Sequence, residues 1–170
     1  MIKIPLFKVG MNENFDELLK VLHSGFIGQG EKVYEFERDI SYKFNNSNVV
    51  SLSSGTHGLD LALRIIGVGV GDSVICSSLS CGATVMPIVN RGADVIWADT
   101  GKDINSTVES IRDSIQDNTK AIILVHWGGY PVDLEPIYEI AKQNNIKLIE
   151  DAAHCYGSVY KDSIIGDCKY

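Results

Sequence analysis

The chain has 170 residues, 45% of them apolar and 22% charged, with a net charge of −7 and a pI near 5.0. One domain of this length buries roughly 70% of its unfolded surface, so a packed core is expected and a disordered chain is not. The acidic balance is not offset by any Lys/Arg cluster and argues against a nucleic-acid partner, whereas a small anion at a helix amino end needs no net positive charge.

Phe15, Leu18, Leu19 and Leu22 recur at helical spacing, as do Val33, Phe36, Ile40 and Phe44, so two amphipathic helices open the chain around a glycine-rich loop at 24–30. An alternation follows. Residues 49–52 read as a short strand, 53–55 as a turn and 56–66 as a helix that is apolar on most sides and therefore expected to be buried. Strands are expected at 74–76, 94–97, 121–125 and 147–149, with a helix at 83–90 between the first two. Ser106 and Glu109 have capping-box spacing and predict a helix running through Ile115. Asp133 is placed to cap a helix carrying Leu134, Ile137 and Ala141, with Pro136 tolerated in its first turn. The strands are mostly continuous apolar runs, which predicts strands covered by helices on both faces: a three-layer αβα fold around a mostly parallel sheet. Ligands bind such sheets at the carboxyl ends of their strands, where residues 53–56, 79–83 and 151–154 should gather.

Four cysteines, Cys76, Cys81, Cys155 and Cys168, form neither a CxxC pair nor a metal-type spacing, which reads as reduced thiols in a cytoplasmic protein. The first six residues lack the apolar core of a signal peptide, and no apolar run approaches the roughly 18 residues of a membrane span.

Three segments can carry chemistry. Ser54-Gly55-Thr56 joins a strand to a helix, and reads either as a phosphate cradle built on a glycine and exposed N–H groups or as an ordinary turn with a Ser or Thr cap. Asp151 ends an apolar strand and reads either as a cap or as a carboxylate partner for a protonated ring nitrogen, with His154 within reach and Ala152 and Ala153 leaving room for a flat ring. His126 and Trp127 follow another strand and can line a pocket, although a satisfied histidine in a glycine-rich connection is the preferred reading of His126. Gly67, Gly69 and Gly71 follow a helix and precede a strand, so they stop a helix and do not form a dinucleotide loop. Asp99 and Asp103 read as solvated loop residues.

Gly25-Phe-Ile-Gly-Gln-Gly30, Phe36-Glu37, Ser54-Gly55-Thr56, Ala121-Ile-Ile-Leu-Val-His126, Pro131-Val-Asp133 and Glu150-Asp-Ala-Ala-His154 occur in one order and spacing. Together they resemble the DegT/DnrJ/EryC1/StrS family, whose members transfer amino groups to nucleotide-linked keto sugars in amino-sugar and cell-surface polysaccharide biosynthesis. The resemblance runs from Pro5 to about Gly166. It implies the large domain of fold-type I enzymes of pyridoxal 5'-phosphate (PLP), glutamate as amino donor, and a homodimer with its sites at the subunit interface.

By the same resemblance, Gly55 and Thr56 match cofactor-phosphate residues and Asp151 matches the pyridine-nitrogen partner. His154 matches a position near the phenolic oxygen, and residues 28–30 match a loop near the site and the dimer contact. Cys81 stands where the family has an aromatic that stacks on the ring; a thiol can touch the ring face without stacking. The family's Schiff-base lysine is expected just beyond Tyr170. Lys161 matches a surface-turn lysine and Lys169 matches no motif, so no catalytic residue is assigned here. Residues 1–170 are thus expected to be the amino-terminal portion of that domain, lacking the lysine segment and the small carboxyl-terminal domain. Weak or no activity is expected of the chain alone, with an exposed apolar patch and sheet edge. A sugar 3-dehydratase with histidine in place of the lysine, a non-catalytic sugar-nucleotide-binding or interaction protein, and an unrelated α/β binding domain are the competing readings.

Overall fold

A computed structural model describes residues 9–10 and 15–167; the first six residues, Cys168 and Lys169 lie outside these. Helices α1 (Asp16–Ser24) and α2 (Glu31–Phe44) fall on the two amphipathic periodicities. Gly25 closes α1 with a φ of 76°, a left-handed conformation that glycine adopts without cost. The Glu37 carboxylate of α2 accepts the Ser51 N–H at 2.7 Å and the Ser51 hydroxyl at 2.8 Å, and these donors hold its pKa below the ordinary glutamate value.

Residues 49–52 are not a strand: they carry no ladder, because no other described strand lies beside them. Helix α3 (Gly55–Ile65) follows, opened by Ser54, whose Oγ accepts the His57 N–H at 3.3 Å. Gly67 ends it as expected. With φ at 73°, the Gly67 N–H bonds to Arg64 O and the Val68 N–H to Leu63 O, while buried Val68 and Leu63 share one core cluster. That pattern satisfies carbonyls the helix end would leave open. The expected burial of α3 fails. Only Leu63 is buried, and Ile65 is 78% exposed, because α3 packs against α4 along one face and no described element covers the other.

The sheet contains β1 (Ser73–Ser77), β2 (Asp94–Ala98), β3 (Thr119–Val125) and β4 (Lys147–Asp151) in the order β2-β1-β3-β4, with all neighbours parallel. Helix α4 (Gly82–Asn90) joins β1 to β2, α5 (Val108–Asp113) joins β2 to β3, and α6 (Leu134–Gln143) joins β3 to β4. Successive strand residues point to opposite faces. Val74, Cys76, Ala121 and Ile123 therefore pack with Leu63 of α3 and Ile88 of α4. Ile75, Ile122 and Leu124 pack with Ile111 of α5 and Ile137 of α6 on the other side. These two cores make the three-layer αβα architecture, and each fully buried Ile or Leu contributes about 1.5–3 kcal/mol. A hairpin of β5 (Val159–Tyr160) and β6 (Ser163–Ile164), unexpected from the sequence, docks on α6: the Tyr160 hydroxyl donates to Asp133 Oδ1 at 2.5 Å, and Lys161 pairs with Glu135.

Two expected caps are corrected. Asp133 makes no capping bond, since its carboxylate is engaged by Tyr160. The cap of α5 is Thr107, whose Oγ1 accepts the Ser110 N–H at 3.1 Å; Ser106 is drawn into a bridge with Thr100 instead, and its buried Oγ has no hydrogen-bond partner. Beyond β3, Gly128 (φ 61°) and Gly129 (φ 83°) turn the chain tightly, and a Cβ on Gly129 would lie 2.7 Å from the His154 carbonyl oxygen.

Two sets of variants test these local assignments by urea unfolding. Ser106→Ala should stabilise the chain by about 1 kcal/mol, by removing an unsatisfied buried hydroxyl, and Thr107→Ala should cost about 1 kcal/mol; the reverse order would restore Ser106 as the cap. Gly129→Ala should cost about 3 kcal/mol, from strain plus the clash with His154, against about 1 kcal/mol for Gly128→Ala, which has open space for its methyl. Equal losses would show that the close approach of the turn to His154 is absent.

Candidate active site

In a parallel sheet every strand ends at the same side, and the register pairs Val125 with Asp151 so that β3 and β4 stop together. A cavity opens there, lined by Cys81, Thr84, Val125, His126, Trp127, Asp151, Ala153 and His154. Two of the three segments expected at this edge therefore meet. Its enclosed volume is about 40 Å³, enough for a water but smaller than a cofactor ring. It can form only the floor of a larger site.

Asp151 is half-buried. Its Oδ2 accepts the Thr84 hydroxyl at 2.6 Å and its Oδ1 accepts the Ala153 N–H at 3.3 Å. Both donors are neutral, and no cation among the described residues pairs with this carboxylate. A half-buried carboxylate oriented by neutral donors has no protein cation to compete with a cationic group entering the cavity. That chemistry fits a protonated pyridine nitrogen.

His126 is fully buried and satisfied, as expected. Its Nδ1 accepts the Val132 N–H at 3.0 Å, which leaves Nε2 to carry the proton of a neutral ring and donate it to Glu150 Oε2 at 3.0 Å. His154 is exposed at the opposite rim. Its Nδ1 accepts the Gly128 N–H at 3.2 Å, and its ring lies edge-on to Trp127 at 5.8 Å. Trp127 is held in turn by its backbone N–H, which donates to Asn105 Oδ1. Cys81 stands just before α4 with an exposed thiol that makes no capping bond, whereas Cys76, buried in β1, has its thiol pushed up to about 11 by desolvation.

Gly55 and Thr56 do not line this cavity. They occupy the first turn of α3, where Ser54 is the cap, Ser53 Oγ lies 2.7 Å from His57 Nδ1, and a Cβ at Gly55 would meet nothing within 4 Å. The turn is thus capped by Ser54, as one of its two sequence readings has it, and open space lies beside Gly55. Residues 28 and 30 line a separate cavity of about 420 Å³ between α1 and α2. Asp99 and Asp103 are exposed, and the described residues contain no metal-binding group of His, Cys, Asp or Glu. No described helix is long and apolar enough to cross a membrane. Sequence reasoning missed Thr84 and Glu150 as partners of the site. The only available signal was Glu150 standing beside Asp151 at a strand end.

The DegT/DnrJ/EryC1/StrS aminotransferase family matches residues 9–169. Among solved structures, AtS13 from Actinomadura melliaura is 36% identical over 96% of this chain and 46% of its own, with a TM-score of 0.90. Sugar aminotransferase CalS13 from Micromonospora echinospora is 31% identical over 96% of this chain and 47% of its own, with a TM-score of 0.88. Spr1654 from Streptococcus pneumoniae, solved in a PLP form, is 28% identical over 97% of this chain and 46% of its own, with a TM-score of 0.89. The chain spans less than half the length of each of these structures. With its parallel αβα fold and every described residue inside the match, the chain belongs to the PLP-dependent DegT/DnrJ/EryC1/StrS aminotransferase family.

Proposed function

We propose that this chain carries the ring-binding floor of a PLP site in an aminotransferase acting on nucleotide-linked keto sugars, with glutamate as donor and a second copy of the chain as partner. The observation that carries this reading is the Asp151 carboxylate, half-buried, held at both oxygens by neutral donors, facing the cavity and paired with no cation among the described residues. When bound, the cofactor supplies an electron sink for proton removal at the amino-bearing carbon, and this chemistry depends on a protonated ring nitrogen.

Each residue has a separate part. Asp151 binds the ring N–H and keeps its proton in place by charge attraction. His154 stands at the rim, where Nε2 is free of the Gly128 bond and can donate to an oxygen on the ring. Cys81 forms a wall of the cavity and would touch the ring face. Gly55 and Thr56 hold the phosphate with the amino end of α3, where open space at Gly55 lets an anion approach the backbone. Together these residues would bind and orient the cofactor.

An absorbance titration with pyridoxal phosphate tests the assignment directly. The chain should bind saturably, and Asp151→Ala should weaken binding at least ten-fold, the equivalent of about 1.4 kcal/mol. Saturable binding unaffected by the substitution would remove Asp151 from the site, and no binding would remove the cofactor reading.

Thiol labelling gives an independent check. Iodoacetamide should modify exposed Cys81 well before buried Cys76 and Cys155, as mapped by mass spectrometry, and pyridoxal phosphate should slow labelling of Cys81 alone among the three. Unchanged labelling of Cys81 at saturating cofactor would place the ring elsewhere.

A further inference from the structure

We infer that Thr84 is a positioning residue for Asp151, setting the angle at which its carboxylate meets the cofactor ring nitrogen. The inference rests on the cofactor reading above and adds to it a residue that no motif marks.

Thr84 is fully buried in the first turn of α4, three residues after Cys81. A buried helical threonine commonly turns its hydroxyl back to a carbonyl of its own helix. Here the proton goes instead to a carboxylate 67 positions away, at 2.6 Å, in the short range of hydrogen bonds to charged oxygens. A carboxylate otherwise rotates broadly about its last torsion. With Thr84 on Oδ2 and the Ala153 N–H on Oδ1, that rotation is stopped from two directions.

Thr84 is also the better anchor of the two. Ala153 belongs to the loop that follows β4 and is itself exposed, whereas α4 packs against α3 and β2 and buries Thr84, Pro87 and Ile88. The helix amino end thereby does two things. Cys81, which immediately precedes the helix, forms one wall of the cavity, and Thr84 aims the charged group on the floor. Because the hydroxyl is neutral, it orients Asp151 without supplying a competing positive charge.

A purely structural tie between α4 and β4 would affect any ligand of the cavity alike, and this gives the test. The chain has two tryptophans, and Trp127 lines the cavity, so a Trp97→Phe background leaves one fluorescence reporter beside the site. Affinities would be measured for pyridoxal phosphate and for its 1-deaza analogue, in which a C–H replaces the ring nitrogen. Thr84→Val should weaken pyridoxal phosphate about ten-fold and leave the deaza analogue within two-fold of its original affinity. Thr84→Ser, which restores the hydroxyl, should recover the difference. Thr84→Ala supplies the same contrast if valine prevents folding. Equal weakening of both ligands, or no weakening of either, overturns the inference while leaving the cofactor site standing. Failure of the unsubstituted chain to bind pyridoxal phosphate overturns the cofactor reading, and this inference with it.

Discussion

The cavity depends on one buried side chain, His126. Its ring joins the start of the α6 connection, through the Val132 N–H, to the end of β4, through Glu150. Its backbone N–H bonds to Asp151 O, and its carbonyl accepts the Gly129 N–H and the Cys155 thiol. Five bonds from one residue therefore fix the end of β3, the glycine turn, the end of β4 and the loop that carries His154. Four of these arms pair buried or half-buried nitrogen and oxygen groups that would otherwise be unpaired, at about 1–3 kcal/mol apiece, while the Cys155 thiol is only a weak donor. A neutral ring suits this place: one nitrogen must accept and the other donate, a pattern that a protonated imidazole cannot provide.

From that anchor, strand geometry separates two adjacent carboxylates. Glu150 and Asp151 are consecutive in β4 and so point to opposite faces. Leu148 packs with the α5/α6 core and Ile149 with the α3/α4 core, which continues the alternation. Glu150 is consumed by His126 and serves structure. Asp151 turns to the α4 side, meets Thr84 and faces the cavity. One residue of register shift would exchange the two roles, and the parallel pairing of Val125 with Asp151 prevents it.

The parts legible in the sequence are those set by local rules. Apolar runs located β1 through β4, Gly67 stopped α3 through a left-handed turn, and Asp151 stood out because a carboxylate ends an apolar strand. The misreadings share a different cause. Residues 49–52 have strand composition, but a strand needs a neighbour, and pairing is not local information. Ser106 and Thr107 are both competent caps; the choice between them follows from the bridge to Thr100, which no spacing rule contains. Thr84 was invisible for the same reason, since a helical threonine looks alike whether it bonds its own helix or a strand end 67 residues on.

The proposed site also has an uneven distribution of binding energy. An offset aromatic stack contributes about 0.5–1.5 kcal/mol beyond the area it buries, and in the proposed site Cys81 would offer a thiol in place of such a stack. The enclosed floor is small, so little apolar area is available to offset the difference. Retention of a ring in the proposed site would then fall on directional contacts, above all on the proposed charge-assisted bond to Asp151. Directional contacts are strong only when aligned. A site that lacks stacking consequently gains more from a rigid carboxylate than a stacked site would, and the buried Thr84 hydroxyl on one side and the His126 scaffold on the other supply that rigidity.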